Sequence, residues 1–144
     1  MPIVQFDHYT LRSQNVDVTA RFYVDVMGFR VERLDAFDFP MRLLFLGDQA
    51  LVHVLGAGVA LDAFLERSAS SLRNCRTRDV SNFEHLAFNA TGLAEMVSRL
   101  ENAQTLFVER ALEAYGVVQL LFDDPEGVEI EVNFPISERS GQEK

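Results

Sequence analysis

The sequence of 144 residues predicts an α+β fold composed of two tandem β-α-β-β-β modules. Three tripeptides recur 77 residues downstream with identical or similar side chains, which indicates an internal duplication. The hydrophobic pattern also changes between a period of 2 and a period of 3.6 at matching places in both copies. The matched tripeptides are Phe6-Asp7-His8 with Phe83-Glu84-His85, Val31-Glu32-Arg33 with Val108-Glu109-Arg110, and Leu43-Leu44-Phe45 with Leu120-Leu121-Phe122.

The first copy begins with a strand that contains His8, and an amphipathic helix follows it. Val18, Phe22 and Val26 recur at helical spacing along this helix, and Gly28 is placed to end it. Alternating and apolar runs then indicate three further strands. The predicted elements are a strand at about residues 3–11, a helix at about 16–27, and strands at about 29–36, 41–47 and 49–55.

The second copy follows the same plan. Thr91 is the candidate N-cap of its helix. The apolar face of this helix is formed by Leu93, Met96, Val97 and Leu100. The stretch DPEG at 124–127 is typical of a tight turn before the last strand. The predicted elements are a strand at about 83–90, a helix at about 92–103, and strands at about 106–112, 115–122 and 128–134.

We expect a single domain at residues 1–136, with module one at about 3–56 and module two at about 82–135. Residues 57–81 are less regular and locally basic, and we interpret them as a linker that could include a short helix and act as a lid. Residues 137–144 are polar and are predicted to be a frayed tail.

Composition narrows the class of ligand. The net charge of −9 argues against nucleic acid, because phosphate binding depends on basic surface. No apolar run reaches the length of a membrane span, and no signal peptide is visible, so a cytoplasmic protein without membrane contact is expected. The single Cys75 cannot form an internal disulfide. A small-molecule substrate is therefore favoured.

The chain has only three histidines, and each lies in a predicted strand. His8 and His85 are equivalent across the repeat. His53 lies in the last strand of module one and corresponds to Glu131 in module two, once one extra residue in the 124–127 turn is allowed for. A single histidine in a strand is usually a hydrogen-bonded filler, but four repeat-matched polar side chains indicate a common site.

Strand alternation predicts that these side chains avoid the helix-packed faces. His53 lies opposite Val52 and Val54, and Glu131 alternates with apolar neighbours in the same way. Glu129 shares the face of Glu131 and is the alternative carboxylate. Three imidazoles and one carboxylate are typical of a nitrogen-rich site for a divalent cation. The predicted metal ligands are His8, His53, His85 and Glu131.

With these residues in place, the chain resembles the vicinal oxygen chelate superfamily, which includes glyoxalase I, methylmalonyl-CoA epimerase, fosfomycin-resistance enzymes, extradiol dioxygenases and bleomycin-resistance proteins. The similar segments are FDHYTL, RFYVDVMGF, FEHLAF and DPEGVEIEVNF. The resemblance covers about residues 3–135 and implies two curved mixed sheets around a metal-binding cavity. It places the metal carboxylate four residues after Gly127, at Glu131.

Three functions are compatible with this resemblance. The first is a metal-dependent lyase or isomerase of glyoxalase type that acts on a small molecule with neighbouring oxygens, with Glu131 and His53 as candidate catalytic residues. The second is an Fe(II) extradiol-type ring-cleaving dioxygenase, which needs only His8, His85 and Glu131 and leaves His53 outside the metal. The third is a metal-free drug-binding protein of the bleomycin-resistance type.

The ligand count favours the first function. An octahedral metal with four protein ligands retains two open positions, which suffice for a chelating oxygen pair but not for a catechol and O₂ together. The residues do not distinguish Fe, Ni, Zn, Mn and Mg as the metal. Candidate substrate-binding residues are Phe45, Tyr115, Gln119 and Phe122, and the open sheet edges predict a homodimer.

Overall fold

The computed structural model describes residues 5–64 and 85–141. Within them, the predicted α+β architecture is confirmed, because two β-α-β-β-β modules each form a mixed four-stranded sheet. Most of the predicted linker, including Cys75, lies outside the described residues. No helix in the described ranges has the length and apolar composition needed to cross a membrane.

Module one consists of β1 (Tyr9–Ser13), α1 (Val16–Asp25), β2 (Arg30–Leu34), β3 (Met41–Leu46) and β4 (Gln49–Gly56), followed by α2 at residues 59–64. Its sheet has the order β1-β4-β3-β2. β1 and β4 are parallel, and the other two pairs are antiparallel.

Module two consists of β5 (Leu86–Asn89), α3 (Leu93–Asn102), β6 (Phe107–Leu112), β7 (Val117–Asp123) and β8 (Glu129–Pro135). Its sheet has the equivalent order β5-β8-β7-β6, with β5 and β8 parallel. Two 3-10 helices occupy Glu113–Tyr115 and Ile136–Gly141. In both modules, the first strand therefore lies beside the last.

The two faces of the module-one sheet have different neighbours. The hydroxyl of Ser13 lies 2.9 Å from that of Thr19 on α1, and Val52 and Val54 are fully buried. His53 points to the opposite face because it alternates with these valines. The predicted alternation along β4 is thus confirmed.

Part of the face that carries His53 is covered by α2. Leu61 packs in an apolar cluster with Phe39, Met41 and Leu55. The cluster buries one end of this face, while His53 itself stays partly accessible.

Both first strands begin later than predicted. β1 begins at Tyr9 and β5 at Leu86, so His8 and His85 each precede a strand instead of lying within it. In module one, the side-chain amide of Gln49 donates hydrogen bonds to the carbonyls of residues 6 and 7. A side chain therefore satisfies these carbonyls, and the ladder begins only after His8.

The buried face of α1 also differs from the prediction. Val18 is 50% exposed, whereas Val16, Thr19 and Tyr23 are buried. The side-chain oxygen of Asn15 accepts hydrogen bonds from the N–H groups of residues 17 and 18 and caps the start of the helix. The predicted positions of Val26 and Gly28 are confirmed, since Val26 is fully buried and Gly28 has φ of 73°.

The cap of α3 is not Thr91. Gly92 is the N-cap residue, and its left-handed backbone presents no capping side chain. Glu138, from the 3-10 helix at the end of the chain, accepts hydrogen bonds from the N–H groups of Gly92 (2.8 Å) and Leu93 (2.7 Å) instead. The predicted frayed tail is therefore wrong for residues 137–141, which belong to the 3-10 helix Ile136–Gly141 that caps α3.

At positions that the sequence repeat matches, the side chains of β3 and β7 point to opposite faces of their sheets. The sequence match aligns Leu44 with Leu121, but Leu44 lies opposite Val52 on the buried face, whereas Leu121 lies opposite Glu131. Leu120 takes the buried position equivalent to Leu44. The tripeptide match therefore does not carry over to side-chain direction.

Replacing Glu138 by Ala should destabilise the protein by about 1 kcal/mol, because α3 loses a charged acceptor for two N-terminal N–H groups. Urea denaturation of the two proteins would measure this loss. Arg139→Ala is the matched control, since the exposed Arg139 makes only a 3.6 Å ion pair with Glu109. Equal losses in the two variants would contradict the capping role.

Candidate metal site

His8 and His53 form a stacked pair within module one. Their ring centroids are 3.7 Å apart, and the rings are inclined by 8°. The parallel register explains the pairing, because Thr10 lies beside His53 and His8 precedes Thr10 by two residues. The structure thus brings together two of the four predicted ligands.

One nitrogen of each imidazole in this pair has a hydrogen-bond partner. Nδ1 of His8 contacts the Asp7 carboxylate, and Nε2 of His53 lies 3.2 Å from the carbonyl oxygen of Ala50. Because both partners are acceptors, these nitrogens carry the protons. The lone pairs are then on Nε2 of His8 and Nδ1 of His53, the arrangement in which an acceptor orients a metal-binding imidazole.

His53 is held in its neutral form. Burial lowers its pKa below the ordinary 6.5, and repulsion from His8 lowers it further, against smaller opposing effects of the Ala50 carbonyl and Asp7. A neutral imidazole can donate a lone pair without first losing a proton. His53 is therefore prepared for either metal binding or proton acceptance near pH 7.

His85 and Glu131 form the second pair, within module two. Nε2 of His85 lies 3.4 Å from Oε2 of Glu131, which is longer than a usual N–H···O hydrogen bond. Adjacent ligands that each lie about 2.0–2.2 Å from an octahedral metal are roughly 2.8–3.1 Å apart. The two atoms would therefore have to approach by a few tenths of an ångström to bind one octahedral metal ion.

The other oxygen of Glu131 is held by two amides. Oε1 accepts hydrogen bonds from the side chains of Gln119 (2.8 Å) and Asn133 (2.9 Å). Glu131 is only 8% exposed, so its carboxylate has one oriented conformation. Glu129, the alternative carboxylate, is exposed, and this favours Glu131 as the ligand.

An open pocket adjoins the histidine pair of module one. It has a volume of about 530 Å³ and is lined by His53, Asp7, Asp48 and Gln49 together with residues 5, 46 and 50. A second open pocket, of about 440 Å³, lies in module two, where Leu121 and Glu129 are among its lining residues. Since Leu121 pairs with Glu131 across the sheet, part of the lining of this pocket belongs to the carboxylate face.

The four predicted substrate-binding residues have different positions. Gln119 is buried beside Glu131, as described above. Phe45 is half-buried, with the guanidinium carbon of Arg30 at 4.2 Å from its ring centroid.

Tyr115 and Phe122 differ in exposure and in position. Tyr115 belongs to a 3-10 helix instead of a strand and is 80% exposed. Phe122 borders the 440 Å³ pocket but pairs with Ile130, so its side chain is buried on the face opposite Glu131.

Sequence reasoning missed the residues that orient the ligands. Asp7 and Asn133 carried a weak signal, since one adjoins His8 and the other lies two residues after Glu131. Arg110 carried none, because only the β6–β7 register places it beside Gln119.

The structure brings the four predicted ligands together as two pairs, each within its own module. In the part of the chain that is described, no three His, Cys, Asp or Glu side chains form a metal-binding group. Imidazole nitrogen and carboxylate oxygen, the atoms that these pairs present, are among the ligands that divalent cations accept.

The comparison with protein families decides the wider relationship. Residues 5–132 match the model of the Glyoxalase/Bleomycin resistance protein/Dioxygenase superfamily. The chain belongs to this superfamily. The resemblance seen in the sequence is thereby confirmed, and the two mixed sheets are those of its fold. No curated protein gives a significant match.

Solved structures of the same fold include proteins of several kinds. An integron cassette protein from V. cholerae has 20% identity and a TM-score of 0.62, with 93% of this chain and 97% of that chain covered. A virulence protein from Salmonella typhimurium has 21% identity and a TM-score of 0.64, with 94% and 99% covered.

A fosfomycin-resistance protein from Listeria monocytogenes, in complex with Mn(II) and 1S,2S-dihydroxypropylphosphonic acid, has 12% identity and a TM-score of 0.62, with 90% and 89% covered. At these identities the structural similarity establishes only the fold.

The lowered pKa of His53 predicts a loss of stability on acidification. Below about pH 6.5 the unfolded chain protonates this imidazole before the folded one does, so stability falls until the pH passes below the folded pKa. Denaturation of chelator-treated protein at several pH values between 8 and 5 would measure the loss. His53→Gln should show a shallower pH dependence, and identical curves for the two proteins would refute the assignment.

Proposed function

We propose that this protein is a divalent-metal-dependent enzyme of glyoxalase type, a lyase or isomerase, with His8, His53, His85 and Glu131 as the metal ligands. The observation that supports this best is the buried carboxylate of Glu131. Its Oε1 is held by two amides, while its Oε2 faces Nε2 of His85 at 3.4 Å. A protein that only sequesters a drug has no need for such an oriented carboxylate.

A bound divalent metal would act as a Lewis acid toward two neighbouring oxygens of a small substrate. The protein residues supply orientation and proton acceptance. Asp7 and the Ala50 carbonyl fix the tautomers of His8 and His53, so each ring offers a defined lone pair. Oε2 of Glu131 or Nδ1 of His53 can accept a proton from the substrate only when that atom is not bound to the metal.

The choice of substrate class agrees with one structural relative. The Listeria fosfomycin-resistance protein holds Mn(II) together with a molecule that carries two adjacent hydroxyl groups. We extend only the oxygen pair to this protein and leave the rest of the substrate open. The ligand count of four favours lyase or isomerase chemistry over ring cleavage, because it leaves two open positions on an octahedral metal.

Removing a ligand should lower metal content. Protein purified without chelator should contain about one divalent metal per chain by elemental analysis. His8→Ala, His85→Ala and Glu131→Gln should each weaken metal binding by about tenfold or more, since each removes a donor atom. Isothermal titration of the chelator-treated proteins would measure the affinities.

Glu129→Gln is the matched control for Glu131→Gln, because it changes an exposed carboxylate two residues away on the same strand. We expect this control to keep the wild-type affinity. Unchanged metal content in both histidine variants would refute the site.

The reaction class can be tested separately by oxygen consumption. An Fe(II)-loaded dioxygenase would consume O₂ in the presence of a catechol, whereas the proposed enzyme should not. His53→Ala should weaken metal binding if His53 is a ligand. Oxygen uptake by the wild type, combined with full metal occupancy in His53→Ala, would replace the proposed function by ring cleavage.

We also propose that the protein is a homodimer, since β1 and β2 in module one, and β5 and β6 in module two, are edge strands of their sheets. Light scattering should give about twice the chain mass of 16.3 kDa. A single species at the chain mass at micromolar concentration would contradict the proposal.

A further inference from the structure

Arg110 on β6 contacts Gln119 on β7 across the sheet of module two. The guanidinium donates two hydrogen bonds to the side-chain oxygen of Gln119, from Nε at 2.9 Å and from Nη2 at 2.5 Å. The strand register makes this contact, since Arg110 and Gln119 are direct partners in the antiparallel β6–β7 pair. A buried amide thus has its oxygen fixed by a cation.

This contact decides the direction of the Gln119 amide. Arginine has donors only, so the oxygen of Gln119 must face it and the NH₂ group must face the other way. The NH₂ group then donates to Oε1 of Glu131 at 2.8 Å and to Oδ1 of Asn133 at 3.0 Å. A flipped amide would set NH₂ against the guanidinium and an oxygen against the carboxylate.

Asn133 also links Gln119 to Glu131, as an acceptor from the first and a donor to the second. Its oxygen accepts from Gln119, and its NH₂ group donates to Oε1 of Glu131 at 2.9 Å. Both amide donors therefore act on one carboxylate oxygen. Since Gln119 and Glu131 are 7% and 8% exposed, solvent screens these interactions only weakly.

We infer that Arg110, acting through Gln119, is a positioning residue that holds the Glu131 carboxylate with Oε2 directed at the metal site. The inference rests on the proposed function, which makes Glu131 a metal ligand. An arginine placed directly on Glu131 would neutralise the carboxylate and compete with a cation. An interposed amide orients the carboxylate and leaves its charge for the metal.

The test uses the full-length chain, freed of metal by chelator and titrated with Co²⁺, whose visible spectrum reports ligand geometry. Gln119→Met keeps the side-chain volume but loses the donor, and should weaken Co²⁺ binding by about 10- to 100-fold. Arg110→Met should weaken it by about tenfold and change the Co²⁺ spectrum. Arg110→Lys keeps a cationic donor and should recover most of the loss.

A double-mutant cycle shows whether the arginine acts through the amide. If it does, Arg110→Met combined with Gln119→Met should bind Co²⁺ no more weakly than Gln119→Met alone, because the effects share one route. The matched control is Arg33→Met, since Arg33 is the repeat counterpart of Arg110 and is likewise exposed, but pairs with Asp35 instead of an amide. This control should keep the wild-type affinity, and thermal unfolding of each metal-free variant reports its fold.

The possible failures are distinguishable. If Glu131→Gln binds Co²⁺ as tightly as the wild type, the proposed metal site fails and the inference fails with it. If Glu131→Gln binds weakly but Gln119→Met and Arg110→Met, both folded, bind normally, the inference alone is overturned. Strictly additive losses in the double variant would also overturn it, because Arg110 would then act independently of Gln119.

Discussion

Both pairs of predicted ligands depend on the parallel pairing of the first and last strands of each module. In module one this pairing sets Thr10 beside His53, and in module two it sets Ala87 beside Glu131. Because side chains alternate along a strand, His8, two residues before Thr10, lies on the same face as His53. In the same way, His85, two residues before Ala87, lies on the same face as Glu131. One backbone constraint, used twice, therefore produces both ligand pairs.

The two pairs have different electrostatic surroundings. In module one, two imidazoles lie face to face, and repulsion between them together with burial keeps His53 neutral. In module two, amide donors on one oxygen of a nearly buried carboxylate compensate for its loss of contact with water.

The sequence was sufficient for the architecture, because the 77-residue repeat and the alternation along β4 and β8 can both be read from it directly. It was insufficient wherever a distant side chain replaces a backbone partner. Gln49 satisfies the carbonyls before β1, and Glu138 caps α3 from 45 residues or more away. Neither partner is near its target in sequence, so no local pattern predicts it.

The one-residue difference in side-chain direction between β3 and β7 shows that the two modules have diverged. In module two it directs Gln119 and Leu121 to the carboxylate face, while in module one Arg42 turns to the helix and contacts Asp17. The β2–β3 and β6–β7 hairpins are therefore no longer equivalent to each other. A chimaera that carried β2 and β3 in place of β6 and β7 would inherit the matching tripeptides and still lack the amide beside Glu131.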